Sequence, residues 1–566
     1  MPRRLRIPAV LLVIAAVALF ALLPPRTKQT AAPPASTVRG AFHIHSTRSD
    51  GSGTIDAIAA AAAGAGLQFI VLTDHGDATR PLDPPAYRNG VLTIDGVELN
   101  TTGGHYAVTG LRPSHYPIAG TPDDVIEDVV RLGGFGVAAH PGSARPSLSW
   151  QDWTAPIDGL EWLNADSEWR DEPRLPIARA LITYFFRAPQ SMATLLDRPA
   201  GVLKKWDELG ASRKIVGLAG ADAHARLGLR QRTDPDTSAV HVRLPGYESS
   251  FRTFSNHVVL DAPLSGDAER DAARIIAALR LGRVYSVIDA LATPGHLTFS
   301  ASSGGQTAAM GDTLAINGDV LLHAAASAPP GTTLVLLRDG QRVHEVTDRP
   351  LETNGGQDRG VYRIEAYLPH APGGPAVPWI VSNPIYAGFT PRAVEGPVPQ
   401  PVSRIPARTG EAAAEKGRQD RSVVESLSPS EPRARTFAGD PVINWTFALA
   451  GGTPVGQFAA VAIPVSPGLA SFERVRFRVT ASAPMRAWVQ LRAPVGNTER
   501  WGKTFYVDTE SRIVDVPFAA FASIGVTSSP RAPLEQVSHL LFVIDTLNTL
   551  PGNGGSMTIS EVGFVK

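Results

Sequence analysis

From residue 39 to residue 294, short apolar runs alternate with helical stretches, and this alternation constrains the fold more than any other feature of the sequence. Runs such as "GAFHIH" and "QFIVLTDH" predict strands, whereas "TIDAIAAAAAGAGL", with Thr54 near its start, and "TPDDVIEDVVRLGG" predict helices. Alternating strands and helices are typical of an α/β fold with a largely parallel sheet. Polar residues gather at the ends of the strands, where barrel enzymes of this class carry their chemistry.

The pattern changes near residue 295, where helical stretches give way to period-two alternation between turn residues. Segments such as "HLTFSASS" and "GVYRIEAYL" predict an all-β, immunoglobulin-like sandwich over residues 295–392. Residues 393–435 are rich in proline, charge and small side chains, which predicts a flexible linker. Residues 436–566 are β-rich again, with the size and strand spacing of a jelly roll. The sequence therefore predicts a multidomain chain that combines α/β and all-β folds.

Composition excludes several classes of site. The 566 residues include 53 Lys and Arg against 53 Asp and Glu, so a net charge of zero gives no reason to expect nucleic acid as a partner. The chain has no cysteine, which excludes disulfides, cysteine nucleophiles, thiolate zinc sites and iron–sulfur clusters. A metal ion in this protein must therefore be held by His, Asp and Glu.

The N-terminus predicts export. Three arginines precede an uncharged apolar run of 17 residues, Ile7 to Leu23, which two prolines follow. Its length lies between that of a signal-peptide core and that of a full membrane span. We read residues 1–26 as a signal peptide or membrane anchor and residues 27–38 as a linker. Because the basic flank stays in the cytoplasm, the rest is expected outside it, in the periplasm or at the cell surface, secreted or attached to the membrane.

Two histidines in "FHIHSTRSDG", His43 and His45, lie two residues apart, which places both imidazoles on one face of a strand. A metal site accounts for that pair, and so does a solvated strand, so the pair alone decides nothing. Further imidazole and carboxylate residues close or follow the predicted strands: Asp50, His75, Glu98, His105, His140, Asp222 and His224. Imidazole and carboxylate suit Zn, Mn or Fe without thiolate. Their joint occurrence at strand ends of one α/β domain predicts a metal site.

The motifs "HIH" with "SDG", "TDH", "GVEL", "AAHPG" and "GADAH" occur in an order that resembles the polymerase-and-histidinol-phosphatase (PHP) family of metal-dependent hydrolases. The resemblance covers about residues 39–290 and implies a distorted barrel of seven β/α units with two or three divalent ions at the carboxyl ends of its strands. It implies that one ion is held by His43, His45, Glu98 and Asp222. Glu98 would bridge to a second ion bound by His105 and His140, and a third would be held by Asp50, His75 and His224.

The resemblance implies hydrolysis of phosphoesters on a small-molecule substrate, with a metal-bridging hydroxide as nucleophile. Asp74 lies beside a ligand and would orient it or relay a proton, although a helix cap explains it equally well. Arg48 and Arg226, and Arg230 beyond them, suit a phosphate or carboxylate on the substrate, or are surface residues. Five aromatic side chains would line an apolar pocket or pack in the core: Trp162, Trp169, Tyr184, Phe185 and Phe186.

Two other functions stay open at this point. Exported PHP proteins with extra β domains also resemble the carbaryl-hydrolase group, which cleaves carbamates or carboxylic esters, and the ligand set does not separate the two chemistries. The jelly roll resembles carbohydrate-binding and galactose-binding-like modules, which implies carbohydrate as a partner and a structural cation near the C-terminus. There Trp445, Trp488 and Trp501 would stack on sugars or fill the core. A surface-binding protein with an inactive hydrolase domain is thus the third alternative, which the complete ligand set disfavours.

Overall fold

The computed structural model describes residues 17, 19–228, 241–389, 404–427, 442–465, 469–495 and 498–566. The chain divides into two compact units. The first unit comprises residues 1–77, 81–112 and 121–393, and the second comprises residues 78–80, 113–120 and 394–566. The domain bounds drawn from the sequence stay a prediction.

Helices and strands alternate in the first part of the first unit. Its helices are α1 Ile55–Gly64, α2 Pro122–Arg131, α3 Ala165–Arg170, α4 Arg174–Ala193, α5 Ala200–Gly210, α6 Tyr247–Phe251 and α7 Ala268–Leu281. Its strands up to the end of the α/β region are β1 Lys28–Gln29, β2 Thr37–Ile44, β3 Phe69–Val71, β4 His75–Gly76, β5 Ala86–Arg88, β6 Val91–Ile94, β7 Gly96–Thr101, β8 Gly104–Thr109, β9 Phe135–Ala138, β10 Gly159–Asn164, β11 Val216–Ala223, β12 Leu227–Gly228, β13 His241–Val242, β14 Ser255–Val259, β15 Val284–Val287 and β16 Ala292–Thr293. This is the mixed α/β class that the sequence predicts for the region.

The central strands pair in a closed circuit. Strand β2 is parallel to β3 on one side and to β11 on the other, and β11, β10 and β9 continue in parallel. Strand β9 pairs with β8, and β8 with β7, both antiparallel. The circuit closes because β3 and β4 pair in parallel with β6 and β7. The sequence predicts one strand where β3 and β4 lie and one where β6 and β7 lie. The breaks between them set His75 opposite Glu98 in the β4–β7 register.

Side-chain caps fix the starts of two helices. Thr54 accepts a hydrogen bond from the backbone N–H of Ala57 at α1, and Thr121 accepts one from Asp124 at α2. Apolar faces of the helices then cover the barrel strands: Ile58 of α1 belongs to one buried cluster with strand residues, and α7 contributes to another. The helices therefore hold the strand ends at fixed positions.

The predicted middle sandwich is present as strands, but its sheet continues from the α/β region. Its strands are β17 His296–Ser303, β18 Gln306–Ala309, β19 Thr313–Leu314, β20 Leu321–Ser327, β21 Thr333–Arg338, β22 Gln341–Thr347, β23 Leu351–Asn354, β24 Gly360–Tyr367, β25 Ile380–Ser382 and β26 Ile385–Ala387. Strands β18, β17, β20 and β23 form one sheet. Strand β25 pairs with β15, with Tyr285 opposite Ser382. The sheet that contains β21, β24, β25 and β26 is therefore continuous with the sheet of the α/β region, and the predicted boundary at residue 294 does not separate them. This pairing joins residues far apart in sequence, and local patterning does not encode it.

The second unit is built of two antiparallel sheets around one apolar core. Its strands are β27 Arg404–Pro406, β28 Ala413–Lys416, β29 Arg421–Leu427, β30 Val442–Ala448, β31 Phe458–Pro464, β32 Arg474–Ala481, β33 Met485–Ala493, β34 Glu499–Val507, β35 Arg512–Pro517, β36 Ala522–Ile524, β37 His539–Asp545 and β38 Gly554–Val565. Short 3₁₀ helices occur at Thr409–Glu411, Leu469–Ser471, Phe518–Ala520 and Leu534–Gln536. One sheet has the order β29-β30-β38-β32-β35 with β27 beside β38, and the other β28-β31-β37-β33-β34-β36.

The linker prediction is wrong for residues 404–427. Strand β29 pairs with β30 and strand β28 with β31, each at the edge of its sheet. Edge strands tolerate charged and polar side chains because one side faces water, so their composition resembles that of a linker. The remaining residues of the predicted linker, 393–403 and 428–435, lie outside the described part of the chain.

Among the helices of the described residues, none is both long enough and apolar enough to cross a membrane. Most of the predicted signal or anchor, residues 1–16 and 18, lies outside the described part of the chain, and so does Arg230. The N-terminal prediction therefore stays a prediction.

Candidate metal centre

The nine residues predicted as ligands lie at one rim of the strand circuit. His43 is on β2, Glu98 on β7 and Asp222 on β11, at or near the carboxyl ends of their strands. His105 lies near the start of β8, and because β8 runs antiparallel to β7, that start is at the same rim. The remaining members lie on β4 or in the loops that follow β2, β9 and β11: His45, Asp50, His75, His140 and His224.

Three of these residues adopt a backbone conformation that L-amino acids rarely use. His43 has φ of 67°, His140 has φ of 32° and Asp222 has φ of 42°. The β11–β2 register shifts between Gly220 and Ala223, at the position of Asp222. Left-handed residues other than glycine and asparagine are costly and persist where surrounding structure enforces them, often at functional sites. The backbone is therefore bent locally to turn these side chains into the cluster.

Glu98 is the centre of the cluster. Its Oε1 lies 2.8 Å from His105 Nδ1 and 3.0 Å from His140 Nε2. Its Oε2 lies 3.2 Å from His43 Nε2, 3.1 Å from His45 Nε2 and 3.4 Å from His75 Nδ1. The carboxylate, 1% exposed, thus presents one oxygen to two imidazoles and the other oxygen to three.

Asp50 and Asp222 complete the cluster on either side. Asp50 lies 3.2 Å from His45 Nδ1 through Oδ1 and 3.1 Å from His224 Nε2 through Oδ2. Asp222 Oδ1 lies 3.5 Å from the Nε2 atoms of both His43 and His45. The ring of His224 stacks on that of His45, with 4.2 Å between centroids.

Four overlapping groups of three side chains bring their ligand atoms within 4.8 Å of one another, close enough to hold a metal ion. They are His43–Glu98–His140, His43–His45–Asp222, His45–Asp50–His75 and His75–Glu98–His105. Eight of the nine predicted ligands belong to these groups. His224 belongs to none of these groups and contacts the cluster through Asp50 and the ring of His45. That the nine side chains act as ligands stays a prediction.

Glu161, which the sequence motifs do not single out, lies on β10 behind the cluster. Its Oε1 is 2.6 Å from His43 Nδ1, and its Oε2 accepts the backbone N–H of His140 at 2.6 Å and the amide of Asn164 at 2.8 Å. A side chain on Gly220 would collide with the carboxylate, since its Cβ would lie 2.0 Å from Glu161 Oε1. The signal was a lone charged residue inside the apolar strand "GLEWLN", because a buried carboxylate requires a partner.

The three predicted catalytic residues lie beside the cluster with partners of their own. Asp74 accepts the backbone N–H and the hydroxyl of Ser46, both at 2.7 Å, and the hydroxyl of Ser49 at 2.6 Å. It thus fixes the loop between His45 and Asp50, and β4 rather than a helix follows it. A helix cap is therefore the wrong reading of Asp74.

The two predicted arginines also have partners. Arg48 forms ion pairs with Asp83 and, at 3.2 Å, with Asp95. Arg226 donates from Nη1 to the carbonyl oxygen of Asp50 at 3.2 Å. A role in substrate binding for either residue stays a prediction.

The carboxylates and imidazoles of the cluster shift one another's pKa values. Burial alone would raise the pKa of Glu98, but His43, with hydrogen bonds from His105 and other imidazoles, holds that pKa well below its usual range. Burial alone would lower the pKa of His43, but Glu161 and other carboxylates raise it well above the ordinary value. His75 differs, since burial lowers its pKa and favours the neutral imidazole that metals bind.

One end of the cluster is open to solvent. His43 and His45 are fully buried, whereas the side chains of His75, His224 and Asp50 are 32%, 23% and 20% exposed. A small molecule can therefore reach the cluster from the side of these three residues.

Three of the five aromatic residues predicted to line a pocket or pack in the core do not form a pocket wall. Trp162 is buried and donates to Ser286 Oγ at 3.1 Å, so it belongs to the core. Phe185 and Phe186 are 77% and 60% exposed on α4. In the second unit Trp445 and Trp501 are fully buried in the core, while Trp488 is partly buried on the opposite face of its sheet.

The structural cation predicted near the C-terminus stays a prediction. In the described residues of the second unit, no three His, Asp or Glu side chains converge as they do at the rim of the first.

No protein-family profile and no curated protein matches this sequence. Among solved structures, the chain is similar to a two-domain protein of Bacteroides vulgatus described as containing a predicted PHP-like metal-dependent phosphoesterase, at 15% identity and a TM-score of 0.30 over 64% of this chain and 98% of that one. A candidate metal-dependent phosphoesterase of Bifidobacterium adolescentis is 14% identical, with a TM-score of 0.23 over 39% of this chain and 93% of that one.

A third similar structure is the family 11 carbohydrate-binding module of a cellulosomal cellulase of Clostridium thermocellum, at 12% identity. Its TM-score is 0.23, over 29% of this chain and 96% of that one. Because all three TM-scores are low, we draw no functional conclusion from these likenesses.

Proposed function

We propose that this chain is a metal-dependent hydrolase of the PHP type that acts on phosphoesters. The observation that carries the proposal is Glu98, whose two carboxylate oxygens each face a separate set of imidazoles, two on one side and three on the other. A buried carboxylate with imidazoles on both oxygens is the arrangement that a bridging ligand requires.

The donor set fits divalent ions such as Zn, Mn or Fe. It consists of imidazole nitrogens and carboxylate oxygens, which suit these ions in the absence of thiolate. His75 Nδ1 is buried and makes no hydrogen bond to any described residue, which leaves a nitrogen free for an ion. His43, His45, Glu98 and Asp222 would hold one ion. Glu98 with His105 and His140 would hold a second, and Asp50 and His75, with His224 beside them, a third.

Divalent ions bound there supply Lewis acidity and a water molecule of lowered pKa, so no protein nucleophile is needed. The chain's own residues fix the donors before substrate arrives. Glu161 holds His43 through Nδ1, which leaves Nε2 facing Glu98. Asp74 holds the loop that carries Asp50 through its bonds to Ser46 and Ser49. Such fixed donors lose little entropy when the reaction begins.

We also propose that the chain is exported, so that its metal centre lies outside the cytoplasm. The support is the basic flank and apolar run of the N-terminus, Ile7 to Leu23, which is typical of exported proteins. Fractionation of cells that produce the full chain tests this location directly, with a cytoplasmic enzyme as marker. Recovery of the protein with that marker would contradict export.

The test of function joins metal content to substrate choice. Purified full-length protein is analysed for metal by mass spectrometry and assayed on a p-nitrophenyl phosphomonoester, a phosphodiester, a p-nitrophenyl carboxylic ester and an aryl carbamate. We expect two or more ions per chain and metal-dependent turnover that is fastest on a phosphoester.

Each other outcome has a defined meaning. Faster turnover of the carboxylic ester or carbamate would replace the phosphoesterase by an esterase on the same site. Bound metal without turnover of any ester, or no metal after reconstitution, would contradict the hydrolase and favour a binding protein.

A further inference from the structure

Helix α4 turns its large apolar side chains outward. Its small residues Ala180 and Thr183 are 6% and 1% exposed. The α4 apolar face consists of Leu175, Leu181, Ile182, Phe185 and Phe186, which are 80%, 48%, 52%, 77% and 60% exposed. A helix that packs on a soluble core shows the reverse pattern, with large apolar residues inside.

The exposed residues form one continuous surface. Leu175, Ile182 and Phe186 are spaced by seven and four residues, and Leu181 and Phe185 by four, so they share one side of the helix. Soluble proteins rarely leave such a contiguous patch without a partner. Helix α4 also contains three arginines and no acidic residue, which makes its charge positive.

The chain from Leu22 to Thr27 runs along the same helix. Arg179 donates from Nε and Nη2 to the carbonyl oxygen of Leu22 at 3.1 and 3.0 Å. Arg187 donates to the carbonyl oxygen of Pro24, and Gln190 donates to Thr27 Oγ1 at 2.7 Å. These bonds tie the end of the uncharged run, residues 7–23, to α4. Phe20 within this segment is 73% exposed.

We propose that the α4 apolar face rests on a lipid bilayer, at the boundary between acyl chains and headgroups, next to residues 19–23 at the end of the apolar run. The run has 17 uncharged residues, fewer than the roughly 20 that a membrane span requires. A second apolar surface held next to it adds buried area to the attachment. The arginines of α4 complement anionic headgroups. This inference concerns residues other than the candidate metal ligands and stands independently of the proposed hydrolysis.

The test uses the full chain, which contains no cysteine, so that one introduced cysteine carries a fluorophore at a unique place. The variants Ile182→Cys and Phe185→Cys probe the α4 apolar face, and Lys204→Cys on α5, with a 77% exposed side chain, is the matched control. Each labelled protein is mixed with phosphatidylcholine vesicles that contain about 30% phosphatidylglycerol and a doxyl-labelled lipid as quencher. Thermal unfolding of each variant is compared with that of the unlabelled protein.

We expect quenching at positions 182 and 185 to exceed that at position 204 by roughly threefold or more, because only the former would lie at the lipid surface. Equal quenching at all three positions on vesicle-bound protein would overturn the proposal, as would failure of the full chain to bind vesicles. Sedimentation velocity of the unmodified chain and of Phe185→Ser tests whether a second copy of the chain occupies this surface instead. A dimer of the unmodified chain that this variant dissociates, without quenching at 182 and 185, would assign the surface to a second copy.

Discussion

At the scale of single residues, the candidate site depends on buried charges that are paired in several directions at once. Glu98 is shared by five imidazoles, and Glu161 holds the far side of His43. Removing one member leaves the buried partners, such as His43 and Glu98, without a compensating charge, and this is costly. The two glutamates nevertheless have different roles, one facing the donors and the other positioning them.

The substitution Glu98→Gln removes the shared charge and keeps the shape of the side chain. We expect bound metal to fall and phosphoesterase activity to drop at least about 100-fold. The reason is that the metal ions, which would stabilise the charge that develops on the substrate, would lose the carboxylate that holds them. Metal content by mass spectrometry and kcat are the measurements. Glu345→Gln on β22, an exposed glutamate, is the matched control and should keep both values. Unchanged metal content in Glu98→Gln would show that this carboxylate is not a ligand.

The substitution Glu161→Gln tests positioning rather than ligation. The amide loses the charge that faces His43 Nδ1 while it can still accept the N–H of His140. We expect metal affinity to fall about 10- to 100-fold, as is usual for residues that orient a metal-bound histidine. Chelator competition measures the affinity, and excess metal should restore much of the activity. Loss of activity that excess metal does not restore, or thermal unfolding far below that of Glu345→Gln, would argue for a different role.

At the scale of elements, the loop and helix that follow β10 contain an unusual acid. Glu168 on α3 is 8% exposed, and burial, with the nearby carboxylates of Asp197, Asp171 and Glu172, raises its pKa to about 8. Its hydrogen bond from the backbone N–H of Asp197, at 3.2 Å, compensates only in part. In the folded chain this carboxyl group therefore stays protonated over a range in which an unfolded chain has already lost the proton.

The sign of the resulting pH dependence follows from linkage. The raised pKa means that the contribution of Glu168 to stability is complete below its unfolded pKa, near 4.5, and is lost as the pH rises to about 8. We expect Glu168→Gln to raise the free energy of unfolding by about 2 kcal/mol or more at pH 8, since one pKa unit is worth about 1.4 kcal/mol. At pH 4.5 it should change little.

Urea unfolding of the full chain at both pH values measures this difference, with Glu345→Gln as the control that should show no pH-dependent gain. A stabilisation of equal size at pH 4.5 and pH 8 would mean that the amide acts through packing rather than through the missing charge.

At the scale of the whole molecule, the described residues divide into two compact units, each with its own apolar core. The candidate metal centre belongs to the first unit, while the second contributes a two-sheet β-sandwich. Separate cores allow separate cooperative unfolding.

We expect differential scanning calorimetry of the full chain to show two transitions. Adding Mn²⁺ to chelator-treated protein should raise the midpoint of one transition by about 5 °C and leave the other unchanged, because the ion binds only one folded unit. Glu98→Gln should abolish the metal-dependent increase. A single transition, or an equal shift of both, would show that the two units unfold together.

The sequence by itself determined the two kinds of architecture and the members of the cluster. Period, turn residues and helix caps are local properties, so the helices at Thr54 and Thr121 and most strands were predictable. Strand-end histidines and carboxylates are visible in the same way, because the carboxyl ends of neighbouring parallel strands meet at one rim.

The tertiary structure decided what depends on residues distant in sequence. The position of Glu161 behind His43, the pairing of β25 with β15 and the edge strands β28 and β29 all arise from contacts that no local pattern encodes. The outward apolar face of α4 is of the same kind, since Phe185 and Phe186 read equally well as core residues until the rest of the fold determines which side of the helix is covered.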